Sequence, residues 1–278
     1  MGFGCNAAGV VGCRIIDSPR ERLLAILTNS LVPCNGRFPA LIAILTMFFI
    51  AFSGGLAASL LSALLLTALI LLGICMTFAT TRLLSKTLLR GLPSSFVLEL
   101  PPYRRPEIGR VLVRSVFDRT LFVLGRSVAV ALPAGVVIWI LANVSVGNLP
   151  LLQHLSALLD PFASWFGLDG VILLAFLLGS PANEIVIPIM IMGYLATDQL
   201  TELGSLAATK ALFLANGWSP VTALCVLIFF LFHWPCSTTL ITIYKETKSK
   251  KWTFLAALLP TLIGLFLCFL IAQIARLF

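Results

Sequence analysis

The sequence predicts an all-α, polytopic helical membrane protein, and three observations carry that expectation. Of 278 residues, 59% are hydrophobic and 11% charged, with a mean hydropathy of +1.06, whereas a soluble domain carries about 25% charged residues. The apolar runs are long enough for helices of about 20 residues to cross a bilayer. The basic residues fall between those runs, where cytoplasmic loops of membrane proteins collect Lys and Arg. That placement, without aromatic–basic interleaving, turns the net charge of +8 away from nucleic acid. It makes the lipid bilayer the first partner.

Four segments follow in order: 1–55, 56–119, 120–244 and 245–278. Met1 is followed directly by Gly-Phe-Gly-Cys-Asn with no signal-peptide layout, so the chain reads like a piece that starts in mid-domain. Residues 3–37 are of mixed polarity and predict two helices, Ala7 to Ile16 and a second ending at a break at Pro33. Apolar runs 38–54 and 56–80, joined by Ser53-Gly54-Gly55, predict a hairpin crossing twice. Residues 82–119 hold eight basic and three acidic side chains and read as cytoplasmic. Within them Glu107, Arg110, Arg114 and Asp118 oppose Ile108, Leu112 and Val116, the pattern of an amphipathic helix on the inner surface. A span follows from Leu121 to Val144, with Arg126 near its start snorkelling to that surface.

No Lys or Arg occurs from Ser127 to Thr209, which places the loops there outside or within the membrane. Apolar run 171–196 is interrupted by Gly179-Ser180-Pro181-Ala182-Asn183-Glu184 and is expected to re-enter, because that keeps Lys245, Lys248, Lys250 and Lys251 cytoplasmic. Run 218–244 is interrupted at Pro235, and run 252–275 is the last span. Trp139, Trp165, Trp218 and Trp234 suit interfacial anchoring.

The interruptions carry the functional reading. Backbone that leaves the helix at membrane depth is tolerated only where it is buried in protein or lines a cavity, and such breaks in corresponding positions of two halves point to a transporter's substrate site. The first half holds Gly4-Cys5-Asn6 and then Pro33-Cys34; the second holds Ala182-Asn183-Glu184 and then Pro235-Cys236. Each half thus offers a small-residue break with an Asn, followed by a Pro-Cys break. The thiols of Cys5, Cys34 and Cys236, the carboxylate of Glu184 and the amide oxygens of Asn6 and Asn183 form a mixed sulfur–oxygen set, which suits softer transition metals better than Mg or Ca. A permeating ion must also leave, so ligation should be partial and shared between sites. Seven cysteines without CxxC read as free thiols, and Cys13, Cys75, Cys225 and Cys268 read as small packed hydrophobes. His154 and His233 read as packed or interfacial rather than ligating.

These motifs resemble the ferrous iron transport protein B (FeoB) family. Gly2-Phe3-Gly4-Cys5-Asn6 is similar to the signature of its first gate region. Leu98-Glu99-Leu100-Pro101-Pro102-Tyr103-Arg104 is similar to its central cytoplasmic loop. Ser180-Pro181-Ala182-Asn183-Glu184 and His233-Trp234-Pro235-Cys236-Ser237 are similar to its second gate region. The matches occur in family order over essentially the whole chain. The resemblance implies a multi-pass permease importing Fe2+ across a bacterial inner membrane, with Cys5, Cys34 and Cys236 on the iron path and Glu184 at the second gate. Residues 1–55 would be the C-terminal part of the first gate region, and 120–244 a transmembrane helix with the second.

The departures are specific. No GxxxxGK[ST] phosphate loop occurs, helices expected before the Gly-Cys-Asn motif are not in this sequence, and Ala7-Ala8 stand where many members carry Val-Pro. GTP with Mg2+ would therefore enter only through a missing domain or a partner, or with a missing N-terminal membrane half; the chain itself implies no cofactor and no enzymatic activity. A homo-oligomer stays open. So do two other readings: a permease for Mn2+ or Zn2+, and a non-conducting membrane subunit of a split transporter. A nucleoside-like solute would want stacking groups at the breaks rather than thiols. An intramembrane enzyme lacks a Ser/His/Asp or HExxH pattern.

Overall fold

The computed structural model describes residues 2–50, 56–91, 107–114, 117, 122–147, 149–197 and 203–277. Four helical stretches among them are long and apolar enough to cross a bilayer: Pro19–Ile50, Ala57–Lys86, Pro220–Thr247 and Lys250–Leu277. The architecture is the all-α, multi-pass one. Strand is confined among the described residues to a two-residue hairpin, β1 (Ser145–Val146) with β2 (Leu149–Pro150).

The first half opens with α1 (Asn6–Gly12), then α2 (Pro19–Thr28). Ser18 starts α2 by accepting from the Glu21 N–H, with Pro19 at the first helical position. α2 ends in a 3₁₀ turn, Asn29–Leu31, before Pro33; α3 (Phe38–Leu45) then carries the helical path on to Ile50. The first crossing therefore begins at Pro19, not at residue 38, and the Pro33 break lies inside it. The reason is burial: Leu24, Ile26 and Leu27 pack with Val10, Leu84, Ile243 and Ala256, against the long helices α4 (Leu56–Lys86) and, at the chain's other end, a second spanning helix. α5 (Ile108–Arg114) is the described part of the amphipathic helix expected over 107–118. The Ser53-Gly54-Gly55 turn, the Leu98–Arg104 motif and the Arg126 side chain lie outside the described residues.

The second half runs through α6 (Phe122–Asn143), α7 (Leu151–Ala163), α8 (Gly170–Leu178), α9 (Val186–Leu195), α10 (Leu206–Ala215), α11 (Pro220–Phe232), α12 (Ser237–Thr247) and α13 (Lys250–Leu277). α7 and α10 were not foreseen. The helical runs Leu151–Phe166 and Gly170–Leu178 meet at 106°. Gly167 makes the corner in the left-handed region (φ 69), and Asp169 restarts the helix by accepting from the Ile172 N–H. α8 and α9 hold 9 and 10 residues, about half of what a crossing needs. The break expected over 179–184 separates them.

α11 is the hub. Cys225 to Phe232 are all buried, as befits a helix that is apolar all round, and it packs against α3, α4 and α13. Phe176 meets Phe229 and Phe230 edge-on at 4.7 and 4.6 Å. α4 and α6, by contrast, turn Leu60, Phe78, Leu132 and Trp139 outward, the surface a bilayer would cover. Trp165 is also exposed. Trp218 corrects the anchoring expectation: it is buried, stacked 4.3 Å from Phe213 and 5.5 Å from Phe48, with Nε1 donating to Tyr194 Oη at 2.7 Å.

Candidate functional site at a junction of helix breaks

Each cysteine singled out at a break occupies the position just before a helical segment. Cys5 precedes α1, Cys34 precedes the 3₁₀ turn Asn35–Arg37, and Cys236 precedes α12. Backbone N–H groups of these first turns have no partner within their own helix. Ala182 plays the same part before the turn Asn183–Ile185.

The breaks then pair by backbone. Asn35 N–H donates to Gly4 O at 3.4 Å in the first half; Ser237 N–H donates to Ser180 O at 2.9 Å in the second. In both halves the residue after the Pro-Cys pair thus bonds a carbonyl two or three residues before the Asn. A further parallel comes from the long helices. A Cβ on Gly73 of α4 would lie 2.9 Å from Leu31 O, and one on Gly264 of α13 would lie 3.1 Å from Phe232 Cβ and 3.3 Å from Phe232 O. Each long helix thus uses a glycine to approach the last turn before a Pro-Cys break.

The two halves also meet each other. α1 packs along α12, and the turn Asn35–Arg37 lies against the turn Asn183–Ile185. Asn183 is 95% buried; its amide lies 3.9 Å from Cys34 Sγ and its other end 3.0 Å from His233 Nε2. The Glu184 side chain is exposed, and its carboxylate covers Gly36, where a Cβ would stand 2.7 Å from Oε1. The structure therefore brings Cys34, Asn183 and Glu184 to one place. Cys5, Asn6 and Cys236 stand on the adjoining breaks: Cys5 is exposed, Cys236 is half-buried with Sγ 3.2 Å from Thr239 Oγ1, and Asn6 is buried with Oδ1 lacking a partner. Among the described residues no three His, Cys, Asp or Glu side chains gather into a ready metal cage.

One junction residue escaped the sequence reading, and a second was read only as packed. Arg37 is fully buried. Its Nη1 donates to Ser30 O (3.2 Å) and Leu231 O (2.9 Å), and its Nη2 to His233 O (3.1 Å) and Trp234 O (3.3 Å). It thereby holds the carbonyls that α11 leaves unpaired where it breaks, a favoured place for a cation. A charge four residues after a proline break, in a segment that spans, was the available signal. His233 is buried too, with Nδ1 3.0 Å from Phe230 O. A third contact, Asn29 Nδ2 to Asn6 O at 2.8 Å, fixes α1 on the first break.

Comparison with known proteins follows the same outline. Residues 125–250 match a family model described as Gate, nucleoside recognition, and residues 66–118 match that of the ferrous iron transport protein B C terminus. The chain is 29% identical over 289 residues to a Staphylococcus aureus (strain MSSA476) protein named Fe(2+) transporter FeoB, covering all of this chain and 40% of that protein. A Methanocaldococcus jannaschii protein of the same name is 25% identical over 291 residues, covering 100% of this chain and 41% of its own length. A Porphyromonas gingivalis Fe(2+) transport protein A/FeoB fusion protein is 24% identical, covering 100% and 37%. The chain thus spans about 40% of the length of the curated relatives it matches. No solved structure matches it. Both family models thus fall on one helical, multi-pass chain, which is similar over its whole length to part of proteins named Fe(2+) transporter FeoB and carries the domain described as the ferrous iron transport protein B C terminus.

Proposed function

We propose that this chain is the gate-bearing permease part of an Fe2+ importer in a bacterial inner membrane. The cation would pass the junction of helix breaks by way of Cys5, Cys34, Cys236, Glu184, Asn6 and Asn183. One observation carries the reading: backbone that leaves the helix in four places gathers at one junction, where Cys34 meets Asn183 and Glu184 covers Gly36. Unpaired backbone at membrane depth is sustained only where protein or a cavity receives it. The unpartnered Asn6 Oδ1 suits a cation, which such an oxygen can accept without a donor hydrogen.

Donors spread over adjoining breaks favour transit over storage, since each stop binds an ion partially and releases it to the next. Sulfur beside oxygen favours Fe2+, Mn2+ or Zn2+ over Mg2+, and Fe2+ is preferred among these because the matched relatives are named for it. GTP-driven control would come from a domain or partner outside these residues.

The test is anaerobic Fe2+ binding to the purified chain in detergent, with Mg2+ as control and Cys5→Ser, Cys34→Ser, Cys236→Ser and Glu184→Ala variants. Selective binding that weakens in at least two variants supports the path. A folded chain that binds Fe2+ no better than Mg2+ refutes it and puts the non-conducting subunit first.

A further inference from the structure

Hydrogen-bond counting at His233 points to which atom of Asn183 faces Cys34. The imidazole makes two polar contacts, Nδ1 with Phe230 O and Nε2 with the Asn183 side chain, each at 3.0 Å. A backbone carbonyl only accepts, so Nδ1 must carry the hydrogen there. A neutral imidazole has a single N–H; Nε2 is then an acceptor and needs a donor opposite it. An imidazolium would instead set a second buried cation beside Arg37, which already donates to the His233 and Trp234 carbonyls, and no carboxylate pairs with either among the described residues. Such an uncompensated pair of charges is strongly disfavoured in a dry interior.

The donor opposite Nε2 can only be the amide nitrogen of Asn183. Oxygen and nitrogen of a side-chain amide are assigned from their hydrogen-bond partners. The structure sets Oδ1 toward His233 Nε2 and Nδ2 toward Cys34 Sγ; the partners require the amide turned about, with Nδ2 toward His233 and therefore Oδ1 toward Cys34. The atom 3.9 Å from Cys34 Sγ is then the oxygen. A thiolate sulfur and an amide oxygen at that separation can touch one transition-metal ion, since bonds to S and O are about 2.3 and 2.0–2.2 Å for zinc. An N–H directed at the same point would repel it.

We propose that His233 is a positioning residue: through its Nε2 lone pair it turns the Asn183 amide so that Oδ1 joins Cys34 Sγ as a paired oxygen–sulfur donor for the permeating cation. The role of that pair rests on the permeation reading above; the orientation of the amide does not. Phe176 at 5.1 Å and Phe230 at 5.9 Å between ring centroids fix the imidazole plane, and Arg37 fixes the backbone that carries it. Asn183 belongs to the second half and Cys34 to the first, so the pair exists only while the two halves stay docked.

The chain has two histidines, so His154→Gln leaves His233 as the only one. Nitrogen-15 solid-state NMR of that variant in lipid bilayers at neutral pH reads the tautomer directly, because a bare imidazole nitrogen resonates far downfield of a protonated one. The expected spectrum shows Nδ1 protonated and Nε2 bare; a protonated Nε2, alone or with Nδ1, overturns the proposal. The second arm is Co2+ binding, followed by the sulfur-to-metal charge-transfer band and its loss in Cys34→Ser. His233→Leu should lower Co2+ affinity about 10–100-fold, the usual consequence of losing the partner that orients a ligand. His233→Gln, whose Oε1 can accept from Asn183, should restore most of it. Affinity unchanged in a folded His233→Leu chain overturns the proposal. A bare Nε2 in a parent chain that binds no Co2+ overturns the permeation reading while leaving the amide orientation in place.

Discussion

Replacing Arg37 by Met isolates what the buried guanidinium does for the fold. The substitution keeps most of the side-chain volume and removes the bonds to Ser30, Leu231, His233 and Trp234 carbonyls. Hydrogen bonds to a charged group contribute roughly 1.5–3 kcal/mol each, so the two shortest alone, at 2.9 and 3.1 Å, account for about 3–6 kcal/mol. Removing the charge also removes its desolvation penalty, which offsets part of that. The net loss expected is about 2–4 kcal/mol. At roughly 2–4 °C per kcal/mol for a chain of this order of size, the midpoint of thermal unfolding in detergent should fall by about 5–15 °C. Arg37→Lys keeps the charge but not the planar fork and should fall between. An Arg37→Met chain melting within about 2 °C of the parent would show that these carbonyls find other donors and that Arg37 does not tie the two halves.

Three further outcomes follow from the junction and its surroundings. Gly73→Leu and Gly264→Leu should each destabilise by about 1–3 kcal/mol, the range for overpacking, because their new Cβ atoms would press on Leu31 O and on Phe232; unfolding midpoints equal to the parent's would sink the close-approach argument. Gly36→Ala should leave stability within about 1 kcal/mol, since the atoms nearest its Cβ belong to the end of the Glu184 side chain, yet it should weaken Fe2+ binding as much as Glu184→Ala does; binding at parental strength would separate Glu184 from the path. In bilayers a membrane-impermeant maleimide should modify Cys5 and spare Cys75, although both side chains are exposed in the fold, because the reaction needs access from water, which a side chain facing hydrocarbon does not have. Equal labelling of the two would mean that α4 does not face lipid there.

The sequence carried much of this arrangement, and the misses have physical causes. Long apolar runs fixed α4, α6, α11, α12 and α13 to within a few residues, because crossing a bilayer demands length and leaves few alternatives. The breaks at Pro33 and Pro235 were legible because proline cannot donate to the helix. Trp218 and the start of the first crossing were not. An apolar ring reads alike whether it faces lipid, an interface or a core, and only the stack on Phe213 and Phe48 decides. Arg37 was passed over, and His233 was read as packed without its partner, because the contacts run to backbone carbonyls and an amide, 194 and 50 residues away in the chain, and no local pattern records such a contact.

The internal echo gains most from the structure, and its one asymmetry bears on the chemistry. The break pairs, their backbone bonds and the glycines of α4 and α13 all correspond between halves. So does the third residue after each Pro-Cys cysteine: Arg37 and Thr239 are both fully buried. Yet Thr239 bonds Cys236 Sγ, while Arg37 reaches carbonyls of the opposite half. A second arginine in place of Thr239 would set two buried cations on the route proposed for a divalent ion, each opposing it by Coulomb repulsion that a low dielectric sharpens. One arginine is different, because Glu184 covers the residue beside it and its charge is spent on the helix end. Thr239→Val should therefore preserve Fe2+ binding better than Thr239→Arg, with both folded. If the arginine variant bound Fe2+ as tightly as the parent, the ion would not pass near Cys236, and the path would have to be drawn through the first break alone.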